Sequence, residues 1–277
     1  MTSTLTRGAP TAAPPRPRGS SFTTQVAVLT SRSLMTSVRD PQMILFSLLQ
    51  PAVLLFMFTQ VFAVMATTSS FPPGITYIDY LMPAILLNNA VQQAMQSGVG
   101  LVEDLKNGFL ARLRSMPIHR STPLVARSFA DLAYCALQLV ALLVAAVAVF
   151  GYRPGGGFLG GVVSVALALV VSYGLSWVFL ALGAWLRRAQ TMQNISIVAV
   201  FPLMFVSSAY VPLAALPDWL RAVAQANPLT YAVDTIRSIA LGMPGGGFSA
   251  AGTTLLISAA LAAVGAFAAN HFFRRPF

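Results

Sequence analysis

Residues 101–121 read LVEDLKNGFLARLRSMPIHRS, and they lie between two segments that contain almost no charge. The stretch holds four Lys or Arg residues and two acidic residues. Its apolar side chains recur every four residues, at Leu101, Leu105, Phe109 and Leu113. On a helix these side chains share one face, and most of the charged side chains lie on the opposite face. The pattern predicts an amphipathic helix, at about 103–117, on the surface of an otherwise apolar protein.

The composition of the whole chain is that of a membrane protein. Of its 277 residues, 56% are hydrophobic and 9% are charged, and the mean hydropathy is +0.73. A soluble domain carries about 25% charged residues. The single cysteine, Cys135, lies in an apolar segment and is interpreted as a packing residue. We expect an all-α polytopic membrane protein, because helices satisfy their own backbone hydrogen bonds in lipid.

Six apolar segments are long enough to cross a hydrocarbon core, which takes roughly 20 helical residues. They are 42–65, 79–101, 124–150, 159–184, 191–211 and 249–271. The sequence PGGGF occurs twice, at 154–158 and 244–248, each time just before such a segment. We interpret both copies as flexible loop composition.

The cations are distributed unevenly around these segments. With both termini in the cytoplasm, 14 of the 17 Lys and Arg residues lie inside, and only Arg153, Arg221 and Arg237 lie outside. This positive-inside distribution accounts for most of the net charge of +10 without a nucleic-acid partner. We expect residues 1–21 to form a disordered cytoplasmic tail, 22–40 an interfacial helix, and 41–277 the transmembrane domain.

The charged stretch and its flank resemble a known family. Residues 102–132, VEDLKNGFLARLRSMPIHRSTPLVARSFADL, resemble the first cytoplasmic loop of ABC type-2 permeases. An acidic cluster, a glycine, a Leu/Arg-rich helix and a proline turn recur in that loop. The sequence of this stretch is most similar to that of the daunorubicin-resistance group of drug-export permeases. Residues 216–242, LPDWLRAVAQANPLTYAVDTIRSIALG, resemble a second segment of the same family.

The resemblance implies that the stretch is a coupling helix. Such a helix docks into a separate ABC ATP-binding subunit, and two permease chains, here expected to be identical, work together in a bacterial plasma membrane. The alternative is a loop that binds only anionic membrane lipids, although lipid attraction does not require the acidic pair. The candidate contacts with the ATPase are Glu103, Gly108, Leu113, Pro117 and Arg120, which match the family, and their neighbours Asp104 and Arg112.

ATP chemistry is expected outside this chain. A phosphate-binding loop needs a Gly-Lys pair, and the only lysine, Lys106, follows Leu105. ATP and Mg are therefore expected on the partner subunit, with no cofactor in this chain. His119 and His271 have no cysteine or acidic companions at ligand spacing, which predicts no metal site. No catalytic set of side chains can be assembled on one side of the membrane, so we do not expect an enzyme.

The second crossing carries a stripe of amides on an arc of roughly 140° of the helix. An amide that faces lipid is costly, so the stripe must face protein or water. Its members either line the export path or form hydrogen bonds between helices, worth about 0.6 kcal/mol each. In the third crossing, Arg127 and Asp131 are expected to form a local i,i+4 ion pair. The amides of the stripe are Asn88, Asn89, Gln92, Gln93 and Gln96.

The segment at 212–242 is apolar but contains helix-breaking residues. Asn227 is a good N-cap and Pro228 suits the first helical position, which predicts a helix from there to Gly242. We expect two short re-entrant helices that dip into the outer leaflet without crossing it. The resemblance implies an outer gate here, and the alternative is an external interfacial cap. The gate candidates are Trp219, Asn227, Pro228, Tyr231 and Arg237.

Together these features predict the permease subunit of an ATP-driven exporter of amphipathic drugs, antibiotics or lipid-like natural products. One alternative within the family is an exporter of cell-envelope glycan or glycolipid. Another, from a different class, is a channel or membrane scaffold that works without ATP.

Overall fold

The computed structural model describes residues 21–39, 41–62, 75–107, 121–243 and 247–273. Every regular element within these ranges is helical, in agreement with the predicted all-α class. The helices are α1 (Phe22–Val38), α2 (Pro41–Val61), α3 (Tyr77–Lys106), α4 (Thr122–Phe150), α5 (Gly157–Leu186), α6 (Ala189–Phe205), α7 (Asp218–Ala226), α8 (Pro228–Ala240) and α9 (Gly247–Phe273), with a 3₁₀ turn at Leu213–Ala215.

Helix α1 is the segment that the sequence predicts as interfacial. The Ser21 side chain accepts a hydrogen bond from the Thr24 amide at 3.3 Å, which caps the helix where it begins. The helix packs against the start of α4, where the Thr30 hydroxyl donates to the Ala126 carbonyl at 3.1 Å. Its position on a membrane surface stays a prediction. The predicted tail lies outside the described residues except for Ser21.

Helix α5 lies between α3 and α9, and glycines let the three backbones approach closely. A Cβ atom on Gly98 would lie 2.5 Å from the Phe179 carbonyl oxygen, and one on Gly183 would lie 2.6 Å from the Gly98 carbonyl oxygen. On the opposite side of α5, a Cβ on Gly265 would lie 2.6 Å from the Trp177 backbone. Small residues at helix crossings are typical of packing inside membranes, where the hydrophobic effect does not drive helices together.

Three described helices are long and apolar enough to cross a membrane: Thr122–Phe150, Gly157–Leu186 and the Ala250–Phe273 part of α9. Two further apolar stretches, Leu45–Val61 and Ala189–Phe205, are shorter. Helix α3 has 30 residues but carries the amide stripe, which lowers its apolarity. The six predicted crossings therefore correspond to helices, while crossing by all six stays a prediction.

The predicted fifth crossing, 191–211, extends beyond the C-terminal end of the helix that the structure shows. Helix α6 ends at Phe205, because Val206 adopts a non-helical backbone with φ −90° and ψ 60°. The chain then turns through Ser207 and Ser208 to Tyr210. The Ser207 side chain supports this turn by donating to the Met204 carbonyl at 2.6 Å and accepting from the Ala209 amide at 3.2 Å.

Two glycines of the first PGGGF copy, Gly155 and Gly156, contact the end of α8, whereas Gly157 and Phe158 are exposed. Flexibility of this loop stays a prediction. The Gly156 amide donates to the Ala240 carbonyl at 2.9 Å, and a Cβ on Gly155 would lie 2.5 Å from the Leu241 carbonyl oxygen. Tyr152 in the same loop is buried, and this burial raises the pKa of its phenol, with the nearby Asp79 carboxylate adding to the rise. The loop therefore fastens α4 and α5 to the end of α8.

Candidate functional site

A concavity lined by polar side chains lies between α2, α3 and α4. This amide cavity has a volume of about 430 Å³. Helix α2 supplies one wall, α3 supplies the amide stripe, and α4 supplies a single side chain. The lining residues are Phe46, Ser47, Gln50, Pro51, Leu54, Ile85, Asn88, Asn89, Gln92, Gln93, Gln96 and Gln138.

All five amides that the sequence analysis grouped as a stripe line this one cavity. The helical period alone places them on one face of α3, and the structure adds the wall opposite them. Two amides of that wall, Gln50 on α2 and Gln138 on α4, are absent from the predicted set. Both are polar residues inside apolar helices, so the same reasoning about the cost of amides in lipid identifies them.

The amides of the cavity differ in exposure. Asn89 is 9% exposed and Gln138 is 4% exposed, whereas Gln92 and Gln96 are exposed on the surface of the single chain. The side-chain oxygen of Asn89 is buried without a hydrogen-bond partner. Such a buried acceptor costs about 1–3 kcal/mol if it stays unpaired. The cavity therefore contains at least one polar group whose hydrogen bond the described residues leave open.

An aromatic cluster lies next to Asn88, beside the end of the cavity that faces Tyr77 of α3. The Asn88 amide donates to the Tyr210 hydroxyl at 2.6 Å. The Tyr210 ring stacks against Phe58 at 4.8 Å and lies 5.1 Å from the ring of Phe205. Sequence reasoning missed Tyr210, because it lies in the segment assigned to the fifth crossing.

Arg237 joins this aromatic end to helix α8. It is 6% exposed, and its guanidinium lies 3.7 Å from the centre of the Tyr80 ring. The guanidinium donates to backbone carbonyls of α3 and of the turn after α6, namely Tyr80 at 3.1 Å, Ser208 at 2.8 Å and Ala209 at 3.2 Å. It also pairs with Asp234 at 2.9 Å. Arg237 therefore supplies donors to the Ser208 and Ala209 carbonyls, which lie in a turn outside any helix.

The other predicted gate residues occupy two different environments. The Asn227 side chain caps α8 by accepting from the Leu229 amide at 2.9 Å, which confirms the predicted cap ahead of Pro228. Its amide also donates to the Val206 carbonyl at 2.6 Å, so it anchors the turn after α6. Trp219 and Tyr231, in contrast, are 71% and 51% exposed. The structure thus groups Asn227 and Arg237 in the interior and leaves the two aromatics on the surface.

The opposite end of α3 carries the acidic pair of the opening stretch. Glu103 and Asp104 lie in the last turn of α3, which continues to Lys106. The prediction that a separate helix begins at 103 is therefore wrong at its start. Asp104 forms an ion pair with Arg127 of α4, and Arg127 also lies 3.4 Å from Asp131 in the predicted i,i+4 pair. Glu103 is exposed. Of the two acids, Glu103 is the more exposed, whereas Asp104 is partly exposed and paired with Arg127.

The remaining predicted coupling residues, Gly108, Arg112, Leu113, Pro117 and Arg120, lie outside the described residues. The Arg127 side chain packs against Gly100, where a Cβ would lie 1.9 Å from the guanidinium, so only glycine leaves room for it.

Within the part of the chain that the structure describes, no group of His, Cys, Asp and Glu side chains could hold a metal ion.

The chain matches a family model and several characterised or named proteins. The ABC-2 type transporter model matches residues 24–241. The chain is 27% identical over 233 residues to the daunorubicin resistance ABC transporter permease protein DrrB1 of Streptomyces coeruleorubidus, covering 84% of this chain and 80% of the relative. It is 22% identical over 223 residues to the probable doxorubicin resistance ABC transporter permease protein DrrC of Mycobacterium tuberculosis, covering 80% of this chain and 79% of the relative.

A third relative, the putative transport permease ycf38 of Porphyra purpurea, is 27% identical over 215 residues, covering 78% of this chain and 73% of the relative. The family match extends from α1 through α8, so it includes the amide cavity, the acidic end of α3 and the Arg237 cluster. The chain therefore belongs to the ABC-2 type transporter family.

Proposed function

We propose that this chain is the membrane-spanning permease subunit of an ATP-driven exporter of amphipathic, drug-like or lipid-like molecules. The amide cavity carries the proposal. It combines apolar and amide side chains in about 430 Å³, a volume within the range of roughly 300–1,000 Å³ that small-molecule sites occupy. The names of two relatives, which refer to daunorubicin and doxorubicin resistance, support a drug-like cargo.

A separate ABC ATP-binding subunit would supply the energy, as for other permeases of this family. Glu103 supports a protein contact at the Lys106 end of α3. A carboxylate in the last turn of a helix is disfavoured by the helix dipole, by about 0.3–1 kcal/mol for an exposed side chain. An acid at this exposed position is therefore better explained by a partner than by the stability of α3. The segment at 108–120 that follows would form the rest of the contact, and ATP and Mg would bind to the partner.

A second copy of this chain would complete the cavity. Gln50, Gln92 and Gln96 are exposed on the single chain, although each lies in the middle of a predicted crossing. In contact with lipid, each amide would lose its hydrogen bonds to water without replacement. A second permease chain against this face would cover them. The two cavities would then form one central path, with surrounding membrane lipids on the outer faces of the helices.

The proposed topology has six crossings in the bacterial plasma membrane, with both termini in the cytoplasm. Helices α2 to α6 and α9 would cross, α1 would lie on the inner surface, and α7 and α8 would enter only the outer leaflet. The distribution of 14 cations against 3 supports this orientation. In this arrangement Tyr210 and Arg237 are at the outer end of the path and Glu103 is at the inner end.

The proposal is tested with vesicles that contain the purified permease, with and without its co-expressed ABC ATP-binding subunit. We expect ATP-dependent accumulation of the uncharged probe N-acetyldaunorubicin in inside-out vesicles only when both subunits are present. A variant of the ATPase that binds ATP but does not hydrolyse it is the matched control. Equal transport without the ATPase would instead identify a channel and would contradict the proposal.

A further inference from the structure

We propose that the amide cavity selects an uncharged molecule that carries both hydrogen-bond donors and acceptors, and that it rejects a cation of the same shape. This inference rests on the proposed export function, since it names the chemical class of the molecule that occupies the export path. It concerns binding to the permease itself, before any step that ATP drives.

The lining chemistry is the first argument. Seven of the twelve lining residues are primary amides, one is a serine and four are apolar. Each amide offers both a donor and an acceptor, so the set can pair with hydroxyl, carbonyl and amide groups. Charged side chains are absent from the lining as far as the described residues show. A ligand cation that entered here would lose its hydration shell without gaining an opposite charge, which is costly in a low-dielectric site.

Asn89 provides the second argument. Its side chain is nine-tenths buried and lines the cavity, yet its side-chain oxygen has no hydrogen-bond partner. The neighbouring Asn88 amide is already bound to the Tyr210 hydroxyl. The Asn89 oxygen can therefore accept a hydrogen bond from a ligand, and a neutral hydroxyl or N–H group can supply that bond without bringing a charge.

One acidic residue, Asp131, lies close to the cavity without lining it. Gln93 lines both the amide cavity and a small polar pocket that contains Ser97 and Asp131. Asp131 would be the obvious counter-charge for a cation. However, Asp131 does not line the amide cavity, and Arg127, which also pairs with Asp104, lies 3.4 Å from its carboxylate. Gln93 separates the pair from the cavity, which leaves amides as the polar surface that a ligand meets.

The test uses daunorubicin and N-acetyldaunorubicin, which share their ring system and sugar and differ in the charge of one nitrogen. The full chain is placed in nanodiscs of uncharged phosphatidylcholine, so that the lipid does not concentrate the cation. Binding is followed by the fluorescence of the probes. We expect N-acetyldaunorubicin to bind with a dissociation constant at least tenfold lower than that of daunorubicin.

Substitutions in the cavity test whether the preference for the uncharged probe arises there. Asn89→Leu and Gln92→Leu should each weaken binding of the neutral probe at least fivefold, whereas Gln225→Leu, an exposed amide on α7, should not. Gln92→Glu keeps the shape of the side chain and adds a carboxylate. It should shift the preference toward daunorubicin by tenfold or more, and this gain of binding cannot arise from misfolding.

Equal or tighter binding of daunorubicin by the unmodified chain would overturn the inference, as would binding that the cavity variants leave unchanged or no saturable binding of either probe. Because the measurement uses neither ATP nor an ATPase, its outcome is separate from the transport assay. Loss of ATP-driven transport with the charge preference intact would overturn the exporter function alone. Intact transport with a preference for the cation would overturn this inference alone.

Discussion

The Asn88 side-chain amide donates a hydrogen bond of 2.6 Å to the Tyr210 hydroxyl, and this bond ties the turn after α6 to the amide cavity. Tyr77 supports the same turn, since its hydroxyl donates to the Tyr210 carbonyl at 3.1 Å. Tyr210 is therefore held by both its side chain and its backbone at one end of the cavity. In the proposed orientation, that end is where the cargo leaves.

If Tyr210 closes the exit end of the proposed path, Tyr210→Phe should loosen that closure without disturbing the packing. The variant keeps the ring that stacks against Phe58 and Phe205 but removes the hydroxyl that Asn88 binds. Losing about 1 kcal/mol of hydrogen bonding corresponds to roughly a fivefold change in the closed-to-open ratio. We expect passive leakage of N-acetyldaunorubicin from preloaded vesicles to rise about fivefold. Tyr231→Phe, at an exposed ring, is the control. Unchanged leakage in Tyr210→Phe would show that this bond does not close the path.

Arg237→Leu should lower the stability of the protein strongly. The substitution leaves the Tyr80, Ser208 and Ala209 carbonyls without their guanidinium donor. Removing one partner from a buried charged network costs about 3–5 kcal/mol. We expect a clear fall in the melting temperature of the detergent-solubilised protein. Arg153→Leu, which removes an exposed guanidinium, should change the melting temperature little. Similar melting temperatures for the two variants would contradict the role assigned to Arg237.

The crossing of α3 and α5 is tested by Gly98→Ala. The added methyl group would lie 2.5 Å from the Phe179 carbonyl oxygen, so the helices must separate, at a cost of about 1–3 kcal/mol. Gly252→Ala in α9 is the matched control, because no atom lies within 4 Å of its Cβ position. It should raise stability by up to about 1 kcal/mol. Thermal unfolding of the two variants should therefore shift in opposite directions, and equal shifts would exclude the close crossing.

The proposed topology is tested by single cysteines in a Cys135→Ser background. A cysteine at Arg153 should react with a membrane-impermeant thiol reagent in intact cells, while cysteines at Asn107 and Gln190 should react only after lysis. All three positions are exposed, so burial does not protect them. Gly156 is unsuitable, because a side chain there would meet the Ile239 carbonyl at 2.5 Å. Labelling of Asn107 from outside would overturn the orientation.

The features that the sequence predicted correctly depend on local periodicity. The helical class follows from the apolar segments, and the 100° rotation per residue places Asn88 to Gln96 on one face of α3. The Asn227 cap and the start of α8 at Pro228 depend only on adjacent residues. Each of these can be read within one or two turns of a single helix.

The features that the sequence did not predict depend on contacts between distant parts of the chain. Gln50 and Gln138 join the cavity because α2 and α4 pack beside α3. The pairing of Arg127 with Asp104 connects residues 23 positions apart, whereas the i,i+4 pair with Asp131 was predictable. Arg237 reaches a carbonyl 157 positions away in α3. Helical periodicity carries no information about which helices become neighbours.

The central claim, that the stretch at the end of α3 couples this permease to a separate ATPase, is tested most directly by Glu103→Lys. A lysine in the last turn is favoured by the helix dipole, so the variant should insert and fold as well as the unmodified protein. Asn107→Lys adds a lysine nearby without removing the acid, so it changes the charge by one unit, whereas Glu103→Lys changes it by two. If the stretch only bound lipid, both variants would strengthen attachment to an anionic membrane by about 1 kcal/mol.

The measurement is co-purification of the ABC ATP-binding subunit with each tagged permease, together with ATP-driven transport in vesicles. Loss of a charged protein contact worth about 2 kcal/mol or more weakens affinity roughly 30-fold. We expect Glu103→Lys to lose the ATPase subunit, or to retain it with ATP hydrolysis by that subunit but no transport, while Asn107→Lys keeps both the subunit and transport. Full retention of the ATPase and of transport by Glu103→Lys would contradict the coupling role of this stretch.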